Sequence, residues 1–167
     1  IYVLDSPILT NSQFKKFKKF FSKKVKVIDC TFDIEGSLKE RIELIREEAE
    51  TAVREGSTCL VLSDKNISNQ KASIPSILTV GAVHSHLVKH GLRGYCSLNV
   101  ECSDAMDTHS FAILIGVGAT TVNPYLAIDS IYQRFEKKLF GKSDFETCVS
   151  KFKKSIDAGL LKIMSKM

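Results

Sequence analysis

Short apolar runs alternate along the chain with longer segments of helical periodicity. Residues 26–32 predict a β-strand, and residues 37–55 then repeat apolar side chains at helical spacing, which predicts a long α-helix. Ser37 and Glu40 have the spacing of a capping box at the start of that helix, and Gly56 is a typical residue for its end. The first unit is therefore a strand followed by a helix.

The same strand–helix pattern then repeats. Strands are predicted at 58–62, 95–100 and 120–123, and helices at 75–89, 111–115 and 126–140. Four such units in succession predict a parallel sheet with right-handed crossovers. The predicted fold class is α/β, with at least four consecutive parallel strand–helix units. Periodicity alone leaves open whether they form an open sheet or a half-barrel-like one.

The last segment, 145–167, predicts a closing helical stretch that is interrupted near Gly159. A length of 167 residues suits one domain, so we predict a single domain over 1–167. The chain begins without methionine and stops directly after a helical pattern, so we also expect it to be a segment of a longer polypeptide.

Polar residues stand where the predicted strands end. In parallel α/β folds these carboxyl ends meet at one edge of the sheet, where ligands usually bind. Asp29 ends the first strand, and the candidate ligand or interface edge consists of Asp64, Lys65, Asn66, Glu101 and Asn123. The adjacent charges of Asp64 and Lys65 are the most site-like feature. A local ion pair that fixes the loop is the interpretation we favour, because structural ion pairs are common.

Seven lysines between residues 15 and 26 account for the net charge of +5, since the rest of the chain is close to neutral. Phe14, Phe17 and Phe21 recur through the same stretch at helical spacing. This pattern predicts an amphipathic helix that buries its phenylalanines and exposes its lysines. A basic surface-binding module is an alternative, but we expect neither nucleic acid nor a membrane as a partner.

No residue set has the spacing of a known catalytic group, and we predict no catalytic residue in this segment. His84 and His86 lie on different faces of a predicted helix, and no carboxylate falls between His86 and His90, so we predict no metal site. The glycines at 116 and 118 end a helix, whereas a dinucleotide-binding loop opens one. The five cysteines form no Cys-x-x-Cys pair, which indicates buried thiols in a reducing, cytoplasmic environment.

Several ordered motifs resemble the central domain of the glutamate synthase large subunit. They span nearly the whole chain and comprise SPILTN at 6–11, DCTFD at 29–33, LSDK at 62–65, IPSILTVGAVHSHL at 74–87 and NPYLA at 123–127. Residues 158–167 resemble the closing stretch of that domain, just before the flavin-binding synthase domain. The resemblance implies that residues 1–167 are this central domain, excised from the larger subunit.

The family resemblance implies that the parent protein is an oxidoreductase with glutamine amidotransferase activity. In such an enzyme a glutaminase domain releases ammonia, which reaches an FMN site where 2-oxoglutarate becomes glutamate. Electrons arrive through a 3Fe-4S cluster from an electron-donor subunit or ferredoxin. The segment would connect the glutaminase and FMN-binding domains and hold no cofactor itself. The alternative that the residues leave open is an independent small-molecule or phosphate-binding α/β domain.

Overall fold

The structure is a computed structural model and describes residues 3–167. Its strands are β1 (Val25–Asp29), β2 (Thr31–Asp33), β3 (Cys59–Ser63), β4 (Lys71–Ser73), β5 (Ser97–Glu101) and β6 (Thr121–Asn123). Its α-helices are α1 (Asn11–Phe21), α2 (Leu38–Arg54), α3 (Ser76–Lys89), α4 (Thr108–Gly116), α5 (Tyr125–Glu136) and α6 (Phe145–Met164). Short 3-10 helices, Ser22–Lys24 and Arg93–Tyr95, precede β1 and β5.

Four strands form one parallel sheet in the order β1-β3-β5-β6. The predicted α/β class with four parallel strand–helix units is therefore confirmed. The strand order follows the chain without a reversal, and right-handed crossovers then keep successive helices on the same face. Helices cover both faces of this sheet, with α1 on the face opposite to α2, α3, α4 and α6, which favours the open-sheet alternative.

The predicted strand at 26–32 is in fact two strands that serve different sheets. β1 ends at Asp29, and the Cys30 N–H then donates to the carbonyl oxygen of Ser63 at 2.7 Å. Beyond Cys30, β2 turns away and pairs antiparallel with β4. A pairing of three residues between distant segments leaves no local period in the sequence, so the pattern looks like one continuous strand.

Two helix ends differ from the predicted ends for local reasons. Helix α4 begins at Thr108, earlier than its apolar pattern indicates, because Asp107 caps it by accepting the Ser110 N–H at 2.8 Å. Helix α5 ends at Glu136, and the following turn holds Lys138 in the left-handed region at φ 56°. Capping and turn geometry therefore set these ends, whereas hydrophobic spacing does not.

Strand β3 is buried along its whole length. Leu60 and Leu62 face the larger apolar cluster, which includes residues of α2, α3, α4 and α6. Cys59 and Val61 face a smaller cluster on the opposite side, where α1 packs. A strand covered on both faces must be apolar at nearly every position, which explains the continuous apolar run in the sequence.

Helix α1 covers this second face with phenylalanine. Phe14 and Phe17 are buried, and the partly buried Phe21 packs against the same cluster. Most of the lysines in and after α1 are exposed, so the predicted amphipathic pattern is confirmed. Lys18 is different, because its Nζ lies 3.3 Å from Oε1 of the buried Glu101. One lysine of the basic run is therefore part of the carboxyl edge.

Helix α6 is continuous through Gly159, so the predicted interruption is wrong. The glycine serves packing between helices. A Cβ at this position would lie 2.5 Å from Cγ2 and 3.2 Å from Cβ of Thr108 in α4. The missing side chain lets α6 approach α4 closely and bury Ile156 and Leu160 in the larger cluster.

The helices bury one side and leave the other in water. Even α6, with 20 residues, alternates its buried positions Val149, Ile156 and Leu160 with exposed lysines. Among residues 3–167, none of the helices combines the length and the apolar character that crossing a bilayer requires.

Gly159→Ala should lower the free energy of unfolding by about 1 kcal/mol, because an overpacking penalty of about 1–3 kcal/mol outweighs the helix propensity of alanine. Gly81→Ala is the matched control, since Gly81 also lies within a helix but a Cβ there would meet no atom within 4 Å. That variant should gain about 0.5–1 kcal/mol. Urea unfolding measures both variants, and a Gly159→Ala protein as stable as the wild type would contradict the packing role.

Candidate functional site

The carboxyl edge of the parallel sheet collects the polar residues that the sequence predicted there. Asp29, Glu101 and Asn123 are the last residues of β1, β5 and β6, and Asp64 directly follows β3. The register pairs Ser63 of β3 with Asp29 on one side and with Glu101 on the other, so the strands end level. The four predicted positions therefore lie side by side along one edge.

Glu101 is the centre of this edge. Its side chain is 5% exposed, and Oε1 lies 3.0 Å from Lys65 Nζ and 3.3 Å from Lys18 Nζ. The hydroxyl of Ser63 donates to Oε2 at 2.8 Å. Burial alone would raise the pKa of Glu101, but the hydrogen bonds from Lys65 and Ser63 and the charges of both lysines lower it overall. The carboxylate is thus held ionised in a nearly dry position.

Lys65 was expected to pair with its neighbour Asp64, but it pairs with Glu101 across the sheet. Its ammonium also lies 5.0 Å from the centre of the Tyr125 ring, which favours a cation in that position. Asp64 is itself 2% exposed, so the loop is not the water-filled one that a local surface ion pair would need. The expected local pair is therefore replaced by contacts between separate strands.

Asp64 is held by hydroxyl and backbone donors. Its Oδ2 accepts hydrogen bonds from Ser73 Oγ at 3.0 Å, from Ser103 N at 3.0 Å and from Ser103 Oγ at 2.6 Å. Its Oδ1 is buried and receives no well-formed hydrogen bond from residues 3–167. The nearby Tyr125 hydroxyl has a raised pKa, first because of burial, then because the negative charge of Asp64 opposes its ionisation, and also because an interaction with the Asp64 carboxylate favours the protonated phenol. One carboxylate oxygen is therefore fully satisfied and the other is not.

The remaining predicted side chains are also fixed locally. Asn66 is exposed and donates its amide to Asp29 Oδ2 at 3.0 Å, while Asp29 Oδ1 accepts from both the N–H and the hydroxyl of Thr31. Asn123 is fully buried and donates to the carbonyl oxygen of Leu9 at 2.9 Å. Its own Oδ1, like that of Asp64, has no hydrogen-bond partner among the described residues.

Several residues of the edge lay outside the sequence prediction. They are Lys18, Ser63, Ser73, Ser103 and Tyr125. Ser103 and Tyr125 each follow a strand by two residues, which is a usable signal. Lys18 is on a helix that precedes the sheet, and Ser73 belongs to the small antiparallel pair, so no local pattern could connect either of them with the edge.

The charges limit what this edge can bind. Asp29, Asp64 and Glu101 place carboxylates on three neighbouring strands, and the nearest lysines already pair with them. Together with Arg41, whose guanidinium donates to the carbonyl oxygens of Asp29 and Thr31, these lysines offset the three carboxylates. The edge also has two buried acceptor atoms, Oδ1 of Asp64 and Oδ1 of Asn123, which suit a hydrogen-bond donor.

The cysteines do not fit the 3Fe-4S cluster that the resemblance implies for the parent enzyme. Burial raises the pKa of Cys30 to about 12 and that of Cys59 to about 11, and it also raises the pKa of Cys96 and Cys102. No three cysteine sulfurs converge within residues 3–167, so these cysteines do not provide the ligand set of such a cluster.

The histidines have the predicted relation to one another, but their surroundings differ. His86 and His90 share a face of α3, with ring centroids 4.3 Å apart. His84 lies elsewhere, with Nδ1 accepting a hydrogen bond from Arg93 Nε at 3.1 Å. Glu50 of α2 reaches His86, with Oε2 at 2.6 Å from Nε2. A neighbouring helix thus supplies the carboxylate that the sequence around the histidines lacks.

In the Glu101→Gln variant, the free energy of unfolding should fall less steeply than in the wild type as the pH becomes acidic. Because the pKa of Glu101 is lowered in the folded protein, its contribution is present above its ordinary value of 4.5 and is lost as the pH falls through the folded value. At neutral pH the variant should unfold about 1–3 kcal/mol more easily, as expected for hydrogen bonds to a buried charge. This difference from the wild type should shrink as the pH falls below 4.5.

Chemical denaturation at a series of pH values measures this effect. Glu43→Gln is the control, because Glu43 is exposed on α2 and should give curves parallel to those of the wild type. A Glu101→Gln curve that stays parallel to the wild-type curve in acid would contradict the assigned role of the buried carboxylate.

The chain is similar to known proteins along its whole length. A family model described as "Glutamate synthase central domain" matches residues 1–167. The glutamate synthase [NADPH] large chain of Azospirillum brasilense is 46% identical in an alignment of 167 positions that covers 98% of this chain. The protein of the same name in Bacillus subtilis is 40% identical in an alignment of 170 positions that also covers 98% of this chain.

A relative with a different electron donor in its name is also similar. The chloroplastic ferredoxin-dependent glutamate synthase of Spinacia oleracea is 38% identical in an alignment of 180 positions that covers 99% of this chain. The chain spans 11% of the length of each of these three relatives. Family match and relatives agree over nearly every residue of the chain, which therefore belongs to the glutamate synthase central domain family.

Proposed function

We propose that this chain is the central connecting domain of a glutamate synthase, joining a glutaminase domain to an FMN-binding synthase domain. In this proposal the parent enzyme makes glutamate from 2-oxoglutarate and glutamine-derived ammonia. It receives electrons from an electron-donor subunit or from ferredoxin, and it is cytoplasmic. FMN and the 3Fe-4S cluster belong to other parts of the parent. The segment itself is structural, and its role is to hold its neighbours in a fixed relation.

The observation that carries this proposal is a set of exposed apolar side chains in the segments that follow the strands. They lie in the loops after the strands or in the first turns of the helices that follow. Their exposed fractions lie between 41% and 59%, and the residues are Ile34, Ile67, Ile77, Leu78, Met106 and Leu126. Large apolar side chains gathered at one end of a sheet are typical of a surface that another domain covers.

The polar centre of the same edge is consistent with such a cover. Two lysines balance the charge of Glu101, and three hydrogen-bond donors contact one oxygen of Asp64. Covering the edge would therefore not bury a charge that lacks a partner. Oδ1 of Asp64 and Oδ1 of Asn123 would gain partners if the covering domain presented hydrogen-bond donors. Both features support a domain interface more strongly than an open ligand cleft.

Replacing Ile67 and Met106 together by serine in the full-length polypeptide should weaken coupling between the two half-reactions. Glutamine hydrolysis and ammonia-dependent glutamate formation should each stay close to wild type, because neither centre is altered. Glutamine-dependent glutamate formation should fall by about fivefold or more, the usual lower end for coupling between sites. The three rates are measured on the same preparation.

Val88→Ser is the matched control. Val88 is 54% exposed at the far end of α3, away from the carboxyl edge, so its replacement should leave all three rates unchanged. Equal losses in both half-reactions of the double variant would indicate general damage, and unchanged coupling would contradict the proposed interface.

The second candidate is an independent small-molecule or phosphate-binding domain, and the two unpartnered oxygens at the edge favour a small molecule that carries hydrogen-bond donors. A thermal-shift titration of the chain with 2-oxoglutarate, glutamate, glutamine, FMN and phosphate tests it. If the chain is a connector, none of them should give a saturable increase in melting temperature.

The Lys65→Ala variant shows whether any stabilisation seen in that titration depends on the carboxyl edge. Lys65 is half exposed and Lys18 stays on the same carboxylate oxygen, so the substitution should cost under about 1 kcal/mol. Saturable stabilisation by any of the five compounds that disappears in Lys65→Ala would establish a binding site and overturn the connector proposal.

A further inference from the structure

A cluster of metal-binding side chains lies on the helical side of the domain, at the contact between α2 and α3. Oε2 of Glu50 is 2.6 Å from His86 Nε2 and 3.8 Å from His90 Nδ1. One potential ligand atom from each residue lies within 4.8 Å of the others, and this is the one such group among residues 3–167. None of the interactions at the carboxyl edge involves these side chains.

We propose that Glu50, His86 and His90 form a binding site for a divalent transition-metal ion of the Zn²⁺ class. Imidazole nitrogen and carboxylate oxygen are the donors that such ions take, and three protein ligands with open positions for water are common at accessible zinc sites. Two histidines four residues apart on one helix face, with a carboxylate from a neighbouring helix, provide this donor set.

The distances are close to those that an ion needs. Zinc bonds of about 2.0–2.2 Å in a tetrahedral site hold two ligand atoms about 3.3–3.6 Å apart. The observed separations of 2.6 Å and 3.8 Å lie on either side of that range. The ion would replace the hydrogen bond between His86 Nε2 and Glu50 Oε2. Nδ1 of His90 now donates to the carbonyl oxygen of His86 at 2.8 Å, so this ring, whose side chain is 34% exposed, must turn and give up that hydrogen bond to complete the set.

The carboxylate is already prepared to act as a ligand. Arg54 holds Oε1 through Nε at 2.9 Å and Nη2 at 2.7 Å, which leaves Oε2 directed to the histidines. The hydrogen bond from His86 Nε2 at 2.6 Å marks the position on Oε2 that the ion would take. An outer partner that orients a ligand in this way is a regular feature of metal sites.

The donor set determines which ion fits, and two arginines oppose any of them. Arg46 Nε lies 3.4 Å from Nδ1 of His86, and Arg54 lies on the other side of the carboxylate. One carboxylate and two imidazoles disfavour Mg²⁺ and Ca²⁺, which depend on several oxygen ligands. Binding through Nε2 would move the His86 proton to Nδ1, where it opposes Arg46. Arg46 should therefore weaken the site without abolishing it.

Titration of the purified 167-residue chain with Zn²⁺ against a chromophoric chelator tests the proposal. The wild type should bind one equivalent and should melt at a higher temperature in excess Zn²⁺, because the ion binds the folded state. His90→Ala and Glu50→Gln should each weaken binding by about tenfold or more. His90 is exposed, so circular dichroism should show that its replacement leaves the fold intact.

Three further variants separate this site from other sources of binding. His109→Ala alters an exposed histidine on α4 and should bind as the wild type does. Cys148→Ser removes the most accessible thiol and should also leave binding unchanged. Arg46→Gln removes the opposing cation and should bind more tightly.

The outcomes decide the proposal. Loss of the single equivalent in His90→Ala and Glu50→Gln, together with tighter binding by Arg46→Gln, would support it. No saturable binding by the wild type, or binding that His90→Ala leaves intact, would overturn it.

Discussion

The burial of β3 on both faces is the constraint on which the rest of the structure depends. All five of its residues are buried, so two separate layers must cover the strand. The helices that follow the strands form one of these layers and cover one face of β3. The order of β1, β3, β5 and β6 does not reverse, so their crossovers stay on one face. The other face is covered by α1, which follows the bridge between Ile8 and Val122 at the far edge of the sheet. The phenylalanines of the lysine-rich segment are therefore needed for folding, whatever its lysines do.

This constraint also explains how charge enters the sheet edge. Once α1 packs across the open face, Lys18 lies within reach of the last residue of β5. The buried carboxylate there receives one lysine from the helix and one from the loop after β3. Burial penalises an isolated carboxylate heavily, so these contacts link the position of α1 to the register of the sheet. Packing and electrostatics therefore support the same arrangement.

Local signals gave the order and type of the main elements. The capping residue Ser37, the apolar run of β3 and the phenylalanine period of α1 each belong to one short segment, and each was interpreted correctly. The positions of the polar residues at the strand ends followed from parallel topology alone. These parts of the fold depend on spacing within about ten residues, which a single sequence displays.

What the sequence did not reveal depends on contacts between distant segments. The β2–β4 pair is three residues long, and neither partner has a period of its own. Lys65 pairs with Glu101, 36 positions further along the chain, in preference to the aspartate beside it. Glu50 meets His86 only because α2 and α3 pack together. Gly159 looks like a helix break, although its small size serves a helix–helix contact, because a sequence does not show which neighbour a glycine faces.

The contact between Ser6 and Asp157 has a topological consequence. The Ser6 hydroxyl donates to Asp157 Oδ1 at 2.7 Å, although 151 positions separate the two residues. Segments from the two ends of the chain thus lie side by side, and a short linker would join them without crossing the sheet. New termini opened in the exposed turn near Gly141, between α5 and α6, would leave every strand pairing intact. The permuted chain would then carry α6 first and β1 to β6 after it, in their present order.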